Sequence, residues 1–441
     1  MARLFGTDGV RGVAGTELTA DLAFALGWAA AEVLGGGGPP TFVVGRDTRA
    51  SGAWLEEALV RGILAAGGSA ILAGVVPTPA VSFLVPSLGA TAGAVVSASH
   101  NPPEYNGIKF LGGTGGKLPD ELEERIEELV LAGSPERAGG GGEVRPLGDA
   151  LERYLDHLVR AAERRLDGLR VVLDAANGAA HRLGPEVLRR LGADVVPIFD
   201  RPDGSNINVG CGALHPEVVA RAVVAHGADA GVSFDGDADR ALFADAAGNV
   251  IDGDQVLAAC ALALREQGRL PGDRVVATVM SNLGFRRAME EAGIEVVETP
   301  VGDRHVREAM DRTGAALGGE QSGHIIFAEH AVTGDGLLTA VRFLSLAVRR
   351  GLKVGELGAV MHRYPQVLEN VPARDPGALE RSGGVRDAIR AAERALGASG
   401  RVLVRASGTE PLVRVMVEAA SEDVARRHAR AIAEVVRAEL G

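Results

Sequence analysis

Asp235-Gly-Asp-Ala-Asp-Arg places three carboxylates at every second position. Such charges repel one another, and a bound cation relieves the repulsion; an all-oxygen ligand set suits a hard ion such as Mg²⁺. The stretch is not an EF-hand, because its sixth position is Arg240 rather than Gly and its twelfth is Ala246 rather than Glu. A solvated acidic loop is the plain alternative. It fits less well, since residues 230–234 carry no charge and only Ser233 as a polar group, the composition of a strand buried on both faces.

Three further stretches, and a fourth at the amino end, carry reactive or ligand-binding residue types. In Ser97-Ala-Ser-His-Asn-Pro-Pro-Glu-Tyr-Asn-Gly-Ile-Lys-Phe, two prolines forbid helix after an apolar strand. Ser99 and His100 are therefore expected on a rigid exposed turn, where a serine flanked by His and Asn, with Lys109 nearby, suits a nucleophile or phosphate carrier. A polar loop with no chemistry is the competing reading. Gly318-Gly-Glu-Gln-Ser-Gly-His-Ile offers donors and acceptors of the kind sugar hydroxyls and amines need, although a glycine-rich turn often has no further role. Arg405-Ala-Ser-Gly-Thr-Glu-Pro-Leu-Val-Arg supplies a guanidinium, two hydroxyls and glycine-permitted N–H groups, the parts of a phosphate cradle. It lacks the Gly-Lys-Ser/Thr of a Walker loop. Finally, Phe5-Gly-Thr-Asp-Gly-Val-Arg-Gly puts Arg11 where it could help hold a phosphate, or forms an ordinary N-terminal turn.

The elements that would position these loops follow from periodicity. Residues 18–34, 51–66 (with Ser51 as N-cap) and 119–131 read as helices, and 41–45, 70–76 and 94–97 as strands. After a glycine-rich linker at 133–148 the rhythm restarts, with a helix from 149, strands at 170–173, 194–198 and 230–234, and a helix ending at 191. Strands at 275–279 and 295–298 mark a third unit. Strands at 402–405 and 413–418, then a helix at 421–440, form a smaller tail. Strand–helix alternation implies βαβ units and mostly parallel sheets. The expected architecture is three successive α/β domains, 1–148, 149–251 and 252–365, plus a smaller α+β domain, 366–441. Ligand crevices form at the carboxyl ends of strands, so the four chemical loops are expected around one central cleft.

Composition narrows the function. With a net charge of −12 the chain is a poor partner for nucleic acid, whose phosphates demand a basic face. Two cysteines, Cys211 and Cys260, are too few for a disulfide framework or a sulfur-rich metal site. The N-terminus has no signal-peptide pattern, and the apolar run 256–264 stops at Arg265, well short of the ~20 residues of a membrane span. A cytoplasmic location without membrane contact is expected.

Taken together, Ser99-His-Asn-Pro, Asp235-Gly-Asp-Ala-Asp-Arg, Gly319-Glu-Gln-Ser-Gly-His and Arg405-Ala-Ser-Gly-Thr-Glu-Pro strongly resemble the four signatures of the α-D-phosphohexomutase superfamily, in order and across essentially the whole chain. Within it, Phe5-Gly-Thr-Asp-Gly-Val-Arg-Gly and Glu320-Gln-Ser-Gly-His look like the bacterial phosphoglucosamine mutase branch. His305 departs from that pattern, which has a tyrosine. The resemblance implies a phosphoserine at Ser99, and Mg²⁺ on Asp235, Asp237, Asp239 and a Ser99 phosphate oxygen. It further implies a sugar 1,6-bisphosphate as intermediate and primer. Arg405, Ser407, Gly408, Thr409 and Arg414 would bind the substrate's own phosphate, Glu320 and Ser322 its hydroxyls, and Arg11 and Arg240 the phosphoserine. Lys109, His100 and His324 are all candidates for proton transfer, and a homodimer is implied. Rival readings are the same chemistry on glucose or mannose phosphates, a metal-dependent phosphatase or serine hydrolase, and a non-catalytic sugar-phosphate sensor. A hydrolase lacks its Gly-x-Ser-x-Gly elbow around Ser99.

Overall fold

A computed structural model describes residues 4–6, 8–133, 141–407 and 411–441. They group into two compact units, one of residues 1–280 and 295–359, the other of 281–294 and 360–441.

The first unit holds three sheets. In the first, the order is Val10–Val13, Tyr105–Leu111, Ala92–Val96, Thr41–Arg46, Ser69–Val75 and Val144–Pro146. Its last four strands run parallel, whereas Tyr105–Leu111 is antiparallel to both neighbours. Lys109 therefore stands on a buried strand rather than on the loop where the sequence reading put it. The expected linker is also partly structured, because Val144–Pro146 adds an edge strand. Helix Ala20–Leu34 starts at Thr19, whose hydroxyl accepts from Leu22 N at 3.2 Å. It packs closely on Gly52–Ala65: a Cβ at Gly27 would lie 2.1 Å from Leu59 O, and one at Gly62 would lie 2.0 Å from Phe24 O. Ser51 precedes the second of these helices but makes no cap bond; its hydroxyl accepts from Asn106 Nδ2 at 2.8 Å instead. Fully buried Phe42, Leu26, Leu55, Leu59 and Ile63 stiffen this layer, each contributing roughly 1.5–3 kcal/mol.

The second sheet runs Val250–Ile251, Ala241–Asp245, Ala230–Phe234, Arg170–Asp174, Asp194–Ile198, and its last three strands are parallel. Ala230–Phe234 is buried along its whole length, as its composition implied. The third sheet, Glu295–Thr299, Arg274–Thr278, Leu317–Gly319, Ile325–Phe327, is parallel except for its last strand. Helix Thr78–Ser87 was not foreseen: Pro79 and Pro86 argue against helix, but one falls in the first turn and the other in the last.

The second unit is an antiparallel sheet, Gln366–Pro372, Leu412–Ala419, Gly400–Ala406. Helices Gly383–Leu396 and Glu422–Leu440 share its core around Val371, Val415, Val417 and Ile432. Residues 281–294 belong here because Asn282 Nδ2 donates to Tyr364 O at 2.9 Å and Leu283 N to Glu418 Oε2 at 3.0 Å. Among the described residues no helix is long and apolar enough to cross a membrane.

Candidate active site

Ser99 follows the buried strand Ala92–Val96 and is itself 2% exposed, not on an exposed turn as expected, because Arg49, Asn208 and the Asp235 loop pack around it. Its φ of +50° is unusual for a residue with a Cβ. The turn is held from both ends: Ser99 N donates to Ser97 Oγ at 3.0 Å, while Ser99 O accepts from Arg49 and from Asn208 Nδ2. In this conformation Ser99 Oγ donates to Asp235 Oδ2 at 2.7 Å and lies 3.2 Å from His100 Nδ1. A serine 136 residues upstream thus meets the metal-type loop directly.

That loop begins where Ala230–Phe234 ends. Asp235, Asp237 and Asp239 are buried, and one carboxylate oxygen of each lies within 4.8 Å of the others. Burial pushes Asp235 well above the usual carboxylate range, and its two neighbours push it further. Burial also works against a charged Asp239, yet His324, Lys109 and Arg240 hold it below its ordinary value. Asp237 Oδ1 and Asp239 Oδ1 are buried without a hydrogen-bond partner. Three crowded buried carboxylates, two of them with an orphan oxygen, are the donor set a hard divalent cation requires, so these residues fit Mg²⁺. Thr78 orients one of them, with Oγ1 donating to Asp237 Oδ2 at 2.6 Å and N to Asp237 O at 3.0 Å. A Cβ at Gly236 would stand 2.5 Å from Ser99 O, so the close approach of the two loops needs glycine there.

Positive groups surround the carboxylates. Lys109 Nζ lies 3.2 Å from Asp8 Oδ2 and 3.4 Å from Asp237 Oδ2. Burial disfavours its charge, but Asp8, Asp237 and Asp239 outweigh that and keep it an ammonium. Asp8 also pairs with Arg11 and with Lys117, the latter at 2.7 Å. Burial penalises its carboxylate, yet these three cations hold it well below the usual range. Arg11 reaches Asn101 Oδ1 at 3.2 Å, beside the serine turn. Arg240 donates its backbone N–H to Asp235 at 3.2 Å and places Nε 3.8 Å from Asp239. Burial, then Arg240 and Arg11, lower His100 to about 4, so its ring is neutral at pH 7. His324 differs: burial opposes its charge, but Asp239, 3.6 Å away, raises it to about 9. Its Nε2 is 3.1 Å from Gly334 N.

From the third sheet, Glu320 accepts from Gly302 N at 3.0 Å and, more weakly, from Ser322 Oγ at 3.4 Å. His305 points elsewhere, toward Glu308 of its own helix at 3.8 Å. Beside His324 opens a cavity of about 590 Å³ whose lining includes Lys117, Asp303, Arg304 and Thr333, a size typical of small-molecule sites. In the second unit Arg405 and Arg414 stand directly opposite on adjacent strands. Burial and then Arg414 lower the Arg405 pKa, a like-charge strain that a bound anion would relieve. Ser407 N donates to Leu412 O at 2.9 Å. Gly408 and Thr409 lie outside the described residues.

The first unit therefore brings together Ser99, His100, Lys109, Arg11, the three aspartates, Arg240 and His324. Sequence reasoning missed Asp8, Asp47, Arg49, Thr78, Lys117 and Asn208. Asp47 and Arg49 were detectable, being charges just after the apolar strand at 41–45; Thr78 and Asn208 carried no signal.

Models of all four parts of one family match the chain: phosphoglucomutase/phosphomannomutase alpha/beta/alpha domain I at 2–137, domain II at 152–248, domain III at 252–364 and the C-terminal domain at 368–435. With a serine set against a buried aspartate triad, these matches define the class, and the chain belongs to the phosphoglucomutase/phosphomannomutase family of phosphohexomutases. More particularly, it is 53% identical over 452 residues to the phosphoglucosamine mutase of Streptomyces griseus subsp. griseus, with 100% of each chain covered. Among solved structures, a family protein from Burkholderia thailandensis is 28% identical with a TM-score of 0.83, covering 99% of this chain and 97% of that one. Aspergillus fumigatus N-acetylphosphoglucosamine mutase in complex with GlcNAc-6P and magnesium shares the fold: TM-score 0.71 at 20% identity, over 99% of this chain and 95% of that one.

Proposed function

We infer that the chain is an isomerase catalysing the phosphoglucosamine mutase reaction, the interconversion of glucosamine 6-phosphate and glucosamine 1-phosphate that feeds UDP-N-acetylglucosamine synthesis. The observation that carries this reading is Ser99 Oγ set 2.7 Å from Asp235 inside the buried triad, in a chain 53% identical to a phosphoglucosamine mutase throughout its length.

Ser99 acts as the phosphoryl carrier. Phosphorylated Ser99 gives its group to the free hydroxyl of the sugar phosphate: the Oγ–P bond breaks, a new sugar O–P bond forms, and the hydroxyl proton passes to the enzyme. The resulting sugar 1,6-bisphosphate turns end for end and returns its other phosphate to Ser99. Asp235, Asp237 and Asp239, with an oxygen of the phosphoserine, would hold Mg²⁺, which when bound neutralises charge on the moving phosphoryl group. Lys109, Arg11 and Arg240 add fixed positive charge around the serine. His100 touches the serine hydroxyl directly, whereas Lys109 and His324 are engaged by Asp237 and Asp239; all three stay candidates for the proton relay. Glu320 and Ser322 read the sugar, and the Glu320 carboxylate favours a cationic amine. Arg405, Arg414 and the segment Ser407, Gly408 and Thr409 anchor the phosphate the substrate already carries. The same reading assigns one loop to each of four domains, 1–148, 149–251, 252–365 and 366–441, and includes a cytoplasmic homodimer.

Ser99→Ala tests the carrier. Intact-protein mass of the wild type should show an added phosphate that the variant lacks, and isomerisation should fall by at least about 10⁴-fold with far-UV circular dichroism unchanged. Wild-type turnover in Ser99→Ala would rule the carrier out.

A further inference from the structure

Behind the serine turn lies a buried charged group to which the chemistry above gives no task. Arg49 is 1% exposed and its pair with Asp47 is fully buried, Nε to Oδ2 at 2.9 Å. Its remaining N–H groups all point at one loop. Nη2 donates to Ser99 O at 3.0 Å and Asn101 O at 2.9 Å; Nη1 donates to Tyr105 O at 2.9 Å and to Pro102 O. All five guanidinium donors are thus used, four of them on backbone carbonyls between residues 99 and 105. Asp47 closes the circuit. Its Oδ2 accepts from Ser97 Oγ at 2.6 Å, and Ser97 Oγ accepts from Ser99 N at 3.0 Å. Both backbone polar groups of Ser99 are tied, directly or through one side chain, to this single ion pair.

Ser99 needs such a hold. A φ of +50° is costly for a non-glycine residue and persists only where its surroundings over-determine it. A buried ion pair serving the fold alone has no reason to spend its donors on a single turn. Here the donors instead converge on the turn that aims the Oγ at Asp235. We propose, resting on the carrier reading above, that Arg49, braced by Asp47, is the positioning residue for the Ser99 nucleophile. It fixes the turn so that Oγ stands in line for phosphoryl transfer, without touching substrate or metal.

Arg49→Lys keeps the charge but replaces a five-donor planar fork with a three-donor point charge. The test is single-turnover transfer from a radiolabelled hexose 1,6-bisphosphate to dephosphorylated enzyme with Mg²⁺ present. A loss of correctly folded protein lowers the amplitude of labelling and leaves the rate constant alone. A misaimed nucleophile lowers the rate constant and leaves the amplitude. The expected result for Arg49→Lys is a rate constant lower by about 10- to 100-fold, with amplitude and KM for the bisphosphate within about twofold of wild type. Should Arg49→Lys not fold, Ser97→Ala cuts the link from the Ser99 amide to Asp47 and should slow the same step by about 3- to 10-fold. An unchanged rate constant in whichever variants fold overturns the inference while the carrier reading stands. Wild type that takes up no label at Ser99 overturns both.

Discussion

Thr78 shows how a residue without reactivity of its own shapes the site. Its hydroxyl, 2.6 Å from Asp237 Oδ2, and its backbone N–H, 3.0 Å from Asp237 O, fix a carboxylate whose other oxygen is buried without a hydrogen-bond partner. Outer-shell partners of this kind are typically worth about 10–100-fold in metal affinity. Thr78→Val keeps the shape and the backbone bond while removing the hydroxyl. The Mg²⁺ concentration for half-maximal activity is expected to rise about tenfold; an unchanged value would mean Asp237 is held by its other contacts. The chemical loops themselves were legible because their signals are local: Ser99 with His100 and two prolines, or three aspartates after an uncharged strand. Thr78 was not, since nothing in a Pro-Thr-Pro turn reports the carboxylate 159 residues away that it contacts.

At the scale of elements, the site is built where strands end. Ala92–Val96 delivers Ser99, Ala230–Phe234 delivers the aspartates, and Tyr105–Leu111 brings Lys109 in from the opposite direction. That last strand was read as part of the serine loop, because the two prolines before it forbid helix; pairing with Val10–Val13 and Ala92–Val96 makes it a strand. Asp174, ending Arg170–Asp174, ties two loops together by accepting from Ala176 N at 2.9 Å and Gly212 N at 2.8 Å. Burial raises it to about 6, despite those bonds and the nearby His215; the Cys211 thiol beside it is itself pushed up to about 12. The native carboxyl therefore keeps a proton that the unfolded chain has already released between pH 4 and 6. Its contribution to stability is full below about pH 4 and is lost as pH rises to about 6, on the order of 3 kcal/mol. Denaturation of wild type and Asp174→Asn at pH 4.5 and 6.5 checks this. The variant should lack that share of the pH dependence, and identical slopes would contradict it.

For the molecule as a whole, the sequence showed four α/β or α+β segments in order, and the sheets follow that order. The grouping of residues 281–294 with the C-terminal unit could not be read from it, because it depends on Asn282 and Leu283 meeting Tyr364 and Glu418 far along the chain. Buried like charges of this kind predict a ligand-dependent stability. At a Mg²⁺ concentration of 100 times its Kd, unfolding should cost about 2.7 kcal/mol more than in chelator. An Asp235→Asn/Asp237→Asn double variant should lose this gain. Equal stabilisation of both proteins by Mg²⁺ would place the ion elsewhere.

The substrate assignment is tested most directly by kcat/KM for glucosamine 6-phosphate, glucose 6-phosphate and mannose 6-phosphate, each with Mg²⁺ and a hexose 1,6-bisphosphate primer. A preference for the amino sugar of about 100-fold is expected, about 2.7 kcal/mol of transition-state discrimination. Equal or better turnover of glucose or mannose 6-phosphate would contradict the assignment, and no isomerisation of any of the three would contradict the mutase itself.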